Sequence, residues 1–521
     1  MSNRGSLAAL SAVFLILSFP GFNIYVLAWV GLVPLFFAVE GLKPSKAFLV
    51  SYLAGVLFFL GTIWWLIHVT LPGMIVVVLY LALYFGVFGT ISNLFLRENR
   101  QHAERRTNTS SLLIFIPATW VTLEYARTHL LTGFGWNLLA HSQAANLRFI
   151  QIADITGAYG VSFIIVLVNA AVFITIKNIK KKDYLYTHIA VAIFLLFVTA
   201  GYGVYRLNNI FTGDSLRVSV VQGNIPQSHK WDASFREEII AAYESLTRQA
   251  AKDSPDLIVW PETSVPGFLE SEEGLFGRVK TLVSGIKMPL LVGTVREEAL
   301  GDSVTYYNSA VLFSRDGSIA ERYDKIHLVP FGEYIPFKNA LKFVEKFAPI
   351  PIGDCAAGKE YRVFNFVIER GSGDKDYRWK FAKKIKFSTL ICFEDIFPEM
   401  SSRFVKNGAL FLINITNDAW YKKSAAAYQH AQSSIFRAVE NRTNVVRAAN
   451  TGLSCFIDQK GRVTAQVSEG GKELSVKGYK AHDIILTRTR TFYTTYGDIF
   501  AYACIIMTLL AVFLYNKVGH P

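Results

Sequence analysis

Three polar side chains stand at the ends of apolar runs, where a chain leaving a buried strand can project its next residue into a cleft. Glu262 closes Leu-Ile-Val-Trp-Pro-Glu at 257–262. Lys325 lies in Arg-Tyr-Asp-Lys-Ile-His-Leu-Val-Pro-Phe-Gly-Glu at 322–333, and Cys392 follows Thr-Leu-Ile in the run 389–395. Taken singly, each has an ordinary explanation: a helix-capping carboxylate, a solvated lysine, an inert core thiol. Together they form a set that can transfer an acyl group. A thiol is a strong nucleophile only as thiolate, and its unperturbed pKa is about 8.5. A carboxylate beside it can take the proton and later return it to a leaving group. An ammonium favours the thiolate and can stabilise the oxyanion of a tetrahedral intermediate. No histidine is required, and the ten histidines show no metal-ligand spacing, so no cofactor or metal is expected.

The elements that must position this trio appear after residue 213. Short β-branched runs occur at Leu216–Gln222, Leu257–Trp260, Leu290–Thr294, Tyr307–Phe313, Phe387–Phe393, Leu410–Ile415, Gly452–Asp458 and Ile484–Thr487. Helical patterns such as Phe235–Lys252 and Ala426–Asn441 lie between some of them. Strands of this length mixed with amphipathic helices predict a layered α/β domain over 207–497, and about 280 residues is ample for one core.

The rest of the chain is different in kind. Of 521 residues, 52% are hydrophobic and only 18% charged, and the mean hydropathy is +0.31. Soluble domains carry about a quarter charged residues, so the composition argues against an ordinary cytosolic protein, and its apolar content excludes disorder. Apolar runs at 6–19, 23–40, 47–67, 73–96, 111–128, 158–176, 187–206 and 498–515 predict about eight membrane spans. The first could be a signal peptide. With no small-x-small site after it and a second run directly following Pro20-Gly21, a tight helical hairpin is the expectation. The expected division is a membrane domain at 1–206, the α/β domain at 207–497, and a last span with its tail at 498–521.

The net charge of +13 does not point to nucleic acid. Much of it falls in alternate connections between spans: Lys43 and Lys46; Arg97, Arg100, Arg105 and Arg106; Lys177, Lys180, Lys181 and Lys182. The positive-inside rule puts all three connections in the cytoplasm and the α/β domain on the other face. Glu124 and Arg127, near the end of one run, are the main ionisable pair in a span. They are the main candidates for the paired ionisable residues that a transporter with a soluble domain would carry. Trp136 and Phe134, in the connection after that run, read as interfacial anchors or as the lining of a lipid-accessible site. Of the other cysteines, Cys455 and Cys504 read as packing, whereas Cys355, in a polar loop, could pair with another thiol in an oxidising compartment. The stretch 334–352 interleaves aromatic residues with lysines and reads as a membrane-facing arm.

Val-Trp-Pro-Glu-Thr at 259–263, Tyr-Asp-Lys-Ile-His-Leu-Val-Pro-Phe-Gly-Glu at 323–333 and Leu-Ile-Cys-Phe-Glu-Asp at 390–395 resemble the three motifs of the nitrilase superfamily. Val-Gln-Gly-Asn-Ile at 221–225, Tyr-Asn-Ser-Ala at 307–310, Asn-Asp-Ala-Trp at 417–420 and Arg-Ala-Val-Glu-Asn-Arg at 437–442 agree with it. The resemblance implies an α-β-β-α sandwich with Cys392 as nucleophile, Glu262 as general base and Lys325 as oxyanion stabiliser. It implies a supporting role for Glu333, and for Glu394 either a positioning role or that of a helix cap. Trp231 would lie near the acyl path or be packing. Phe393 stands where many relatives carry tyrosine, and Tyr421 where they often carry phenylalanine.

The layout of the whole chain is similar to a membrane-embedded acyltransferase branch of that superfamily, whose catalytic domain is inserted before the last span. That likeness implies a phospholipid acyl donor, phosphatidylethanolamine among them, and a diacylated apolipoprotein as acceptor. It implies residence in a bacterial inner membrane with the catalytic domain on the periplasmic face. The alternative sharing the same three residues is a membrane-tethered amidase, in which water takes the acyl group.

Overall fold

The computed structural model describes residues 2–101, 111–179, 185–300, 303–335, 354–368 and 383–518. The expected arm at 334–352 falls almost wholly outside them. The chain divides into two compact units.

The first unit comprises Met1–Asn209, Ser424–Gln432 and Tyr496–Pro521 and is helical. Its helices follow the apolar runs. Four helical stretches, Pro44–His68, Leu71–Leu96, Ala153–Lys177 and Thr187–Asn208, are long and apolar enough to cross a membrane. Asn3–Leu17, Tyr25–Val39 and Ile499–Leu514 are apolar but shorter. The run at 111–128 forms the helix Leu112–His129, whose polar residues dilute its hydropathy. Small residues let the backbones approach. A Cβ on Gly89 would lie 1.7 Å from Ser51 Oγ, and one on Gly55 2.7 Å from Phe85 Cβ.

Glu124 and Arg127 serve the unit's own backbone. Glu124 Oε1 accepts from Leu139 N at 2.7 Å, and Arg127 Nη1 donates to Trp136 O at 2.7 Å. Both side chains are buried, so their hydrogen bonds fix the 136–139 segment, which removes the feature that favoured a transporter. Trp136 is not an interfacial anchor. It is buried against Trp65, and both indole N–H groups donate to Gln429 Oε1 at 3.0 Å. Gln429 Nε2 in turn donates to Thr62 O.

The second unit, Ile210–Lys423 and Ser433–Thr495, holds two six-stranded sheets. Its strands in chain order are β1 (Asp214–Gln222), β2 (Leu257–Val259), β3 (Leu290–Leu300), β4 (Ser303–Phe313), β5 (Ile319–Asp324) and β6 (Phe364–Ile368), then β7 (Lys383–Ile391), β8 (Phe411–Thr416), β9 (Asn444–Ala449), β10 (Cys455–Ile457), β11 (Val463–Gln466) and β12 (Gly478–Leu486). One sheet runs β12-β1-β2-β3-β4-β5 and the other β11-β10-β9-β8-β7-β6. The central pairs β1–β2, β2–β3, β7–β8 and β8–β9 are parallel. Strands β2, β8 and β9 are buried throughout, as are the parallel-paired stretches of β1, β3 and β7, the two-sided burial expected of parallel pairing.

Helices Arg236–Ala251 and Glu273–Ile286 cover the first sheet through Ile240, Tyr243, Leu246, Val279 and Leu282, which pack on Ile258 and Val292. The sheets meet face to face, with β4 against β7 and β1 against β9. Helix Pro398–Lys406 packs on β7, and Ser434, on helix Ala426–Asn441, accepts from Arg447 of β9. The result is the expected helix–sheet–sheet–helix sandwich.

The strand expected to run through Phe393 ends at Ile391, because Cys392 takes φ 51° and opens a 3-10 turn over Cys392–Ile396. Gly293 has no room for a side chain: a Cβ there would lie 2.2 Å from Pro261 O and 2.6 Å from Glu262 Cα, both backbone atoms. Gly293→Ala must therefore push the end of β2 outward. Displacements on the order of 1 Å at reacting groups cost up to about 100-fold. The variant is expected to lose roughly 10- to 100-fold in activity while remaining folded, which steady-state kinetics beside a melting curve would check.

Candidate active site

Glu262, Lys325 and Glu333 converge in the second unit. Lys325 is 1% exposed and follows β5; its N–H donates to Asn308 O, and its own carbonyl accepts from Gly358 N. Its ammonium donates to Glu333 Oε1 at 2.9 Å and stands 3.6 Å from Glu262 Oε1. Asn308 of β4 joins the two carboxylates: its Nδ2 donates to Glu262 Oε1 at 2.7 Å and to Glu333 Oε1 at 2.6 Å. Val329 N donates to Glu333 Oε2 at 2.7 Å. Burial works against the Lys325 ammonium, but the carboxylates of Glu333 and Glu262 outweigh it and hold the group above the ordinary lysine range.

Cys392 is buried at the end of β7. Burial, and next the Glu262 carboxylate, push its thiol well above the usual range, while Lys325 and a hydrogen bond with Thr416 pull the other way. The resting pair is therefore a protonated thiol near a carboxylate, and a reaction at sulfur must move that proton as it proceeds. Three non-glycine residues here adopt left-handed backbone: Thr263 (φ 44°), Phe331 (φ 61°) and Cys392 (φ 51°). Each follows or precedes a site residue or is one. Such strain persists only where the surroundings over-determine it.

The surroundings of Cys392 do so. Asn414 Nδ2 donates to Cys392 O at 3.1 Å and to Leu390 O at 3.3 Å. Arg447 Nη1 donates to Asn414 Oδ1 and to Asp395 Oδ2, both at 2.9 Å. Glu394 is fully buried and accepts from four donors: Ile391 N through Oε2, and Ile326 N, His327 N and Tyr323 Oη through Oε1. It ties the turn bearing Cys392 to the loop bearing Lys325. Burial, offset by these bonds, raises its carboxyl to about 7.

Phe393 is buried edge-on to Phe397, with His327 beside it. Tyr421 ends the short turn Asp418–Tyr421, and burial, then the Cys392, Asp418 and Glu262 charges, push its phenol up. Trp231 is half-buried next to the buried Lys230. Trp136 belongs to the helical unit. Cys355 is pushed to about 12 chiefly by burial, and none of the four cysteines forms a disulfide. The pairing considered for it does not form. Its N–H donates to Glu333 O instead.

Asn308, Asn414, Arg447 and Lys230 were not singled out from sequence. Asn308 lies within Tyr-Asn-Ser-Ala and Lys230 within Lys-Trp-Asp, but only contacts across the fold reveal what each one holds. Chemically, the arrangement can transfer an acyl group through sulfur, with proton transfer to a carboxylate and charge stabilisation by an ammonium.

The profile of the apolipoprotein N-acyltransferase N-terminal domain matches residues 11–171, and that of the carbon-nitrogen hydrolases matches 217–489. An apolipoprotein N-acyltransferase of Geobacter metallireducens is 39% identical over 96% of this chain and 92% of its own length. That of Chlorobaculum tepidum is 30% identical over 96% and 94%, and that of Brucella melitensis 31% over 89% and 88%. Among solved structures, an amidase from Nesterenkonia matches 56% of this chain and 97% of its own at 15% identity and TM-score 0.36. A carbon-nitrogen hydrolase from Helicobacter pylori G27 matches 58% and 94% at 17% identity and TM-score 0.35.

Proposed function

The chain belongs to the apolipoprotein N-acyltransferase family, and from that premise we propose that Cys392 carries the acyl group as a thioester while Glu262 moves the proton and Lys325 stabilises the oxyanion. The protein is a membrane-embedded acyltransferase that N-acylates lipoproteins. The observation that best supports the assignment of residues is the buried Lys325 ammonium held between the carboxylates of Glu333 and Glu262 in electrostatic reach of Cys392.

In the first stage the Cys392 thiol attacks an ester carbonyl of a membrane phospholipid, phosphatidylethanolamine in our reading, as its proton passes to Glu262. The tetrahedral oxyanion forms beside Lys325. The C–O bond breaks, the proton goes to the departing alkoxide, and a lyso-phospholipid leaves. In the second stage the neutral α-amine of the S-diacylglyceryl-cysteine at the acceptor's N-terminus attacks the thioester. The C–S bond breaks, Glu262 takes the amine proton and returns it to sulfur, and an amide remains. Glu333 orients Lys325, Glu394 joins the two loops, and Trp231, Phe393 and Tyr421 line the substrate path. Ping-pong kinetics follow.

The proposal extends to topology. All eight apolar runs cross a bacterial inner membrane, with 1–206 as the first membrane domain, 207–497 as the periplasmic catalytic domain and 498–521 as the last span and cytoplasmic tail. Both substrates are held in lipid by acyl chains, each methylene contributing about 0.8 kcal/mol. A site served from the bilayer avoids extracting them.

The test is incubation of the detergent-solubilised protein with labelled phospholipid. A hydroxylamine-sensitive adduct on Cys392 is expected by mass spectrometry. Its absence, or its persistence in Cys392→Ala, overturns the mechanism. On adding a diacylated lipopeptide, the label should move to the peptide N-terminus; release as free fatty acid instead would favour an amidase-type hydrolase.

A further inference from the structure

A second lysine lies beside the site. Lys230 sits in the segment between β1 and helix Arg236–Ala251 and is 3% exposed. Its Nζ donates to Glu262 O at 3.0 Å and to Thr263 Oγ1 at 2.7 Å. Both acceptors are neutral. An ammonium buried on neutral acceptors is destabilising, since a carbonyl and a hydroxyl replace only part of its hydration. Methionine of similar length would fill the same space without that penalty. The lysine therefore calls for a reason other than packing.

Its partners supply one. Thr263 is β-branched and left-handed at φ 44°, a conformation such residues rarely adopt. Lys230 grips this turn twice, through the carbonyl that enters it and the hydroxyl that leaves it. Ser264 N and Oγ hold the far side on Gly293 O. The turn so fixed is the one that aims Glu262. The titratable groups acting on the Lys230 ammonium are Glu262, at the end of β2, and Cys392, at the end of β7. Cys392 in turn faces Glu262, Lys325 and Asp418.

We infer that Lys230 is a positioning residue of the acyl transfer: it fixes the strained Glu262–Thr263 turn and adds a second positive charge that favours the Cys392 thiolate. The inference rests on Cys392 being the acyl carrier. Burial lowers Lys230 to about 7, with Glu262 and Cys392 pulling the other way, so its charge changes across neutral pH. Lys325 is held above the ordinary lysine range and stays charged throughout. Glu394 also titrates near 7, but it does so in every variant compared.

The experiment alkylates the full-length protein in detergent with iodoacetamide from pH 6 to 9 and follows the Cys392 peptide by mass spectrometry. Below pH 7 wild-type Lys230 is charged and Lys230→Met is not. The ratio of wild-type to Lys230→Met rates should be about tenfold at pH 6 and shrink to about twofold at pH 9, as the wild-type charge is lost. Lys230→Arg keeps its charge at all these pH values. It should therefore react faster than wild type at pH 9 and similarly at pH 6, which decides the matter if the methionine variant does not fold. A pH-independent ratio for both Lys230 variants overturns the inference. Because alkylation needs no phospholipid, that outcome is distinct from failure of the acyl-carrier reading, which would leave the wild type without a phospholipid-derived adduct.

Discussion

Replacing Lys325 with methionine is expected to slow formation of the Cys392 acyl-thioester by at least ~10³-fold, the upper end of what removing one oxyanion-stabilising group costs. The stem would still fit, so the loss is electrostatic. Asn308 Nδ2 would be left as the shared donor to Glu262 Oε1 and Glu333 Oε1, two carboxylates that the ammonium now separates. Like charges at such proximity cannot both stay ionised, and a proton taken up between them obstructs the base. Lys325 is also the charge that lowers the Cys392 thiol against burial and Glu262, so its removal raises the thiol further. Proton acceptor, thiolate and oxyanion are therefore all impaired by one substitution. The rate of labelled adduct formation, with a melting curve to show that the protein is folded, is the measurement. A loss below tenfold would mean that Lys325 is not beside the reacting carbonyl.

How much of this was legible in the sequence depended on how local each signal was. Glu262, Lys325 and Cys392 each end an apolar run, so a period change within a few residues marks them. The parallel strands other than β9, and the helix Ala426–Asn441, were visible for the same reason. Strands β5, β6, β9 and β11 were not. The first of these, Ile-Ala-Glu-Arg-Tyr-Asp, has a half-exposed face, and Asn-Val-Val-Arg-Ala-Ala of β9 contains a buried arginine that sequence reads as solvated. Asn308, Asn414 and Arg447 are ordinary polar residues until the fold brings their partners from 22 to 52 positions away. The hydropathy runs marked where helices form. They could not show that Trp136 is buried on Trp65, because Gln429 reaches their indole groups from 293 and 364 residues along the chain.

The least legible residue carries the second large prediction. Arg447 is completely buried. It donates to Asp395 Oδ2, Asn414 Oδ1 and Ser434 Oγ, lies 3.6 Å from Asp418 Oδ2, and makes a weaker bond from Nε to Leu453 O. Ser434 Oγ donates onward to Asp395. Removing one partner of a buried, hydrogen-bonded ion pair costs about 3–5 kcal/mol, because the other charge stays buried and unpaired. Arg447→Met should therefore lower the unfolding temperature in detergent by roughly 5–15 °C. The effect should reach Cys392, since Asn414, freed at Oδ1, is the side chain that holds Cys392 O and hence its left-handed turn. Alkylation of Cys392 should change in rate even at temperatures where the variant is folded. Lysine should rescue poorly, because one ammonium cannot reproduce the fork that reaches Asp395, Asn414 and Asp418 together. The double variant Arg447→Met/Asp395→Leu removes both charges of the closest pair and should recover part of the stability without recovering activity. If Arg447→Met melts within about 2 °C of wild type, the pair does not brace the turn, and the backbone of Cys392 must be held by the strands and Glu394 alone.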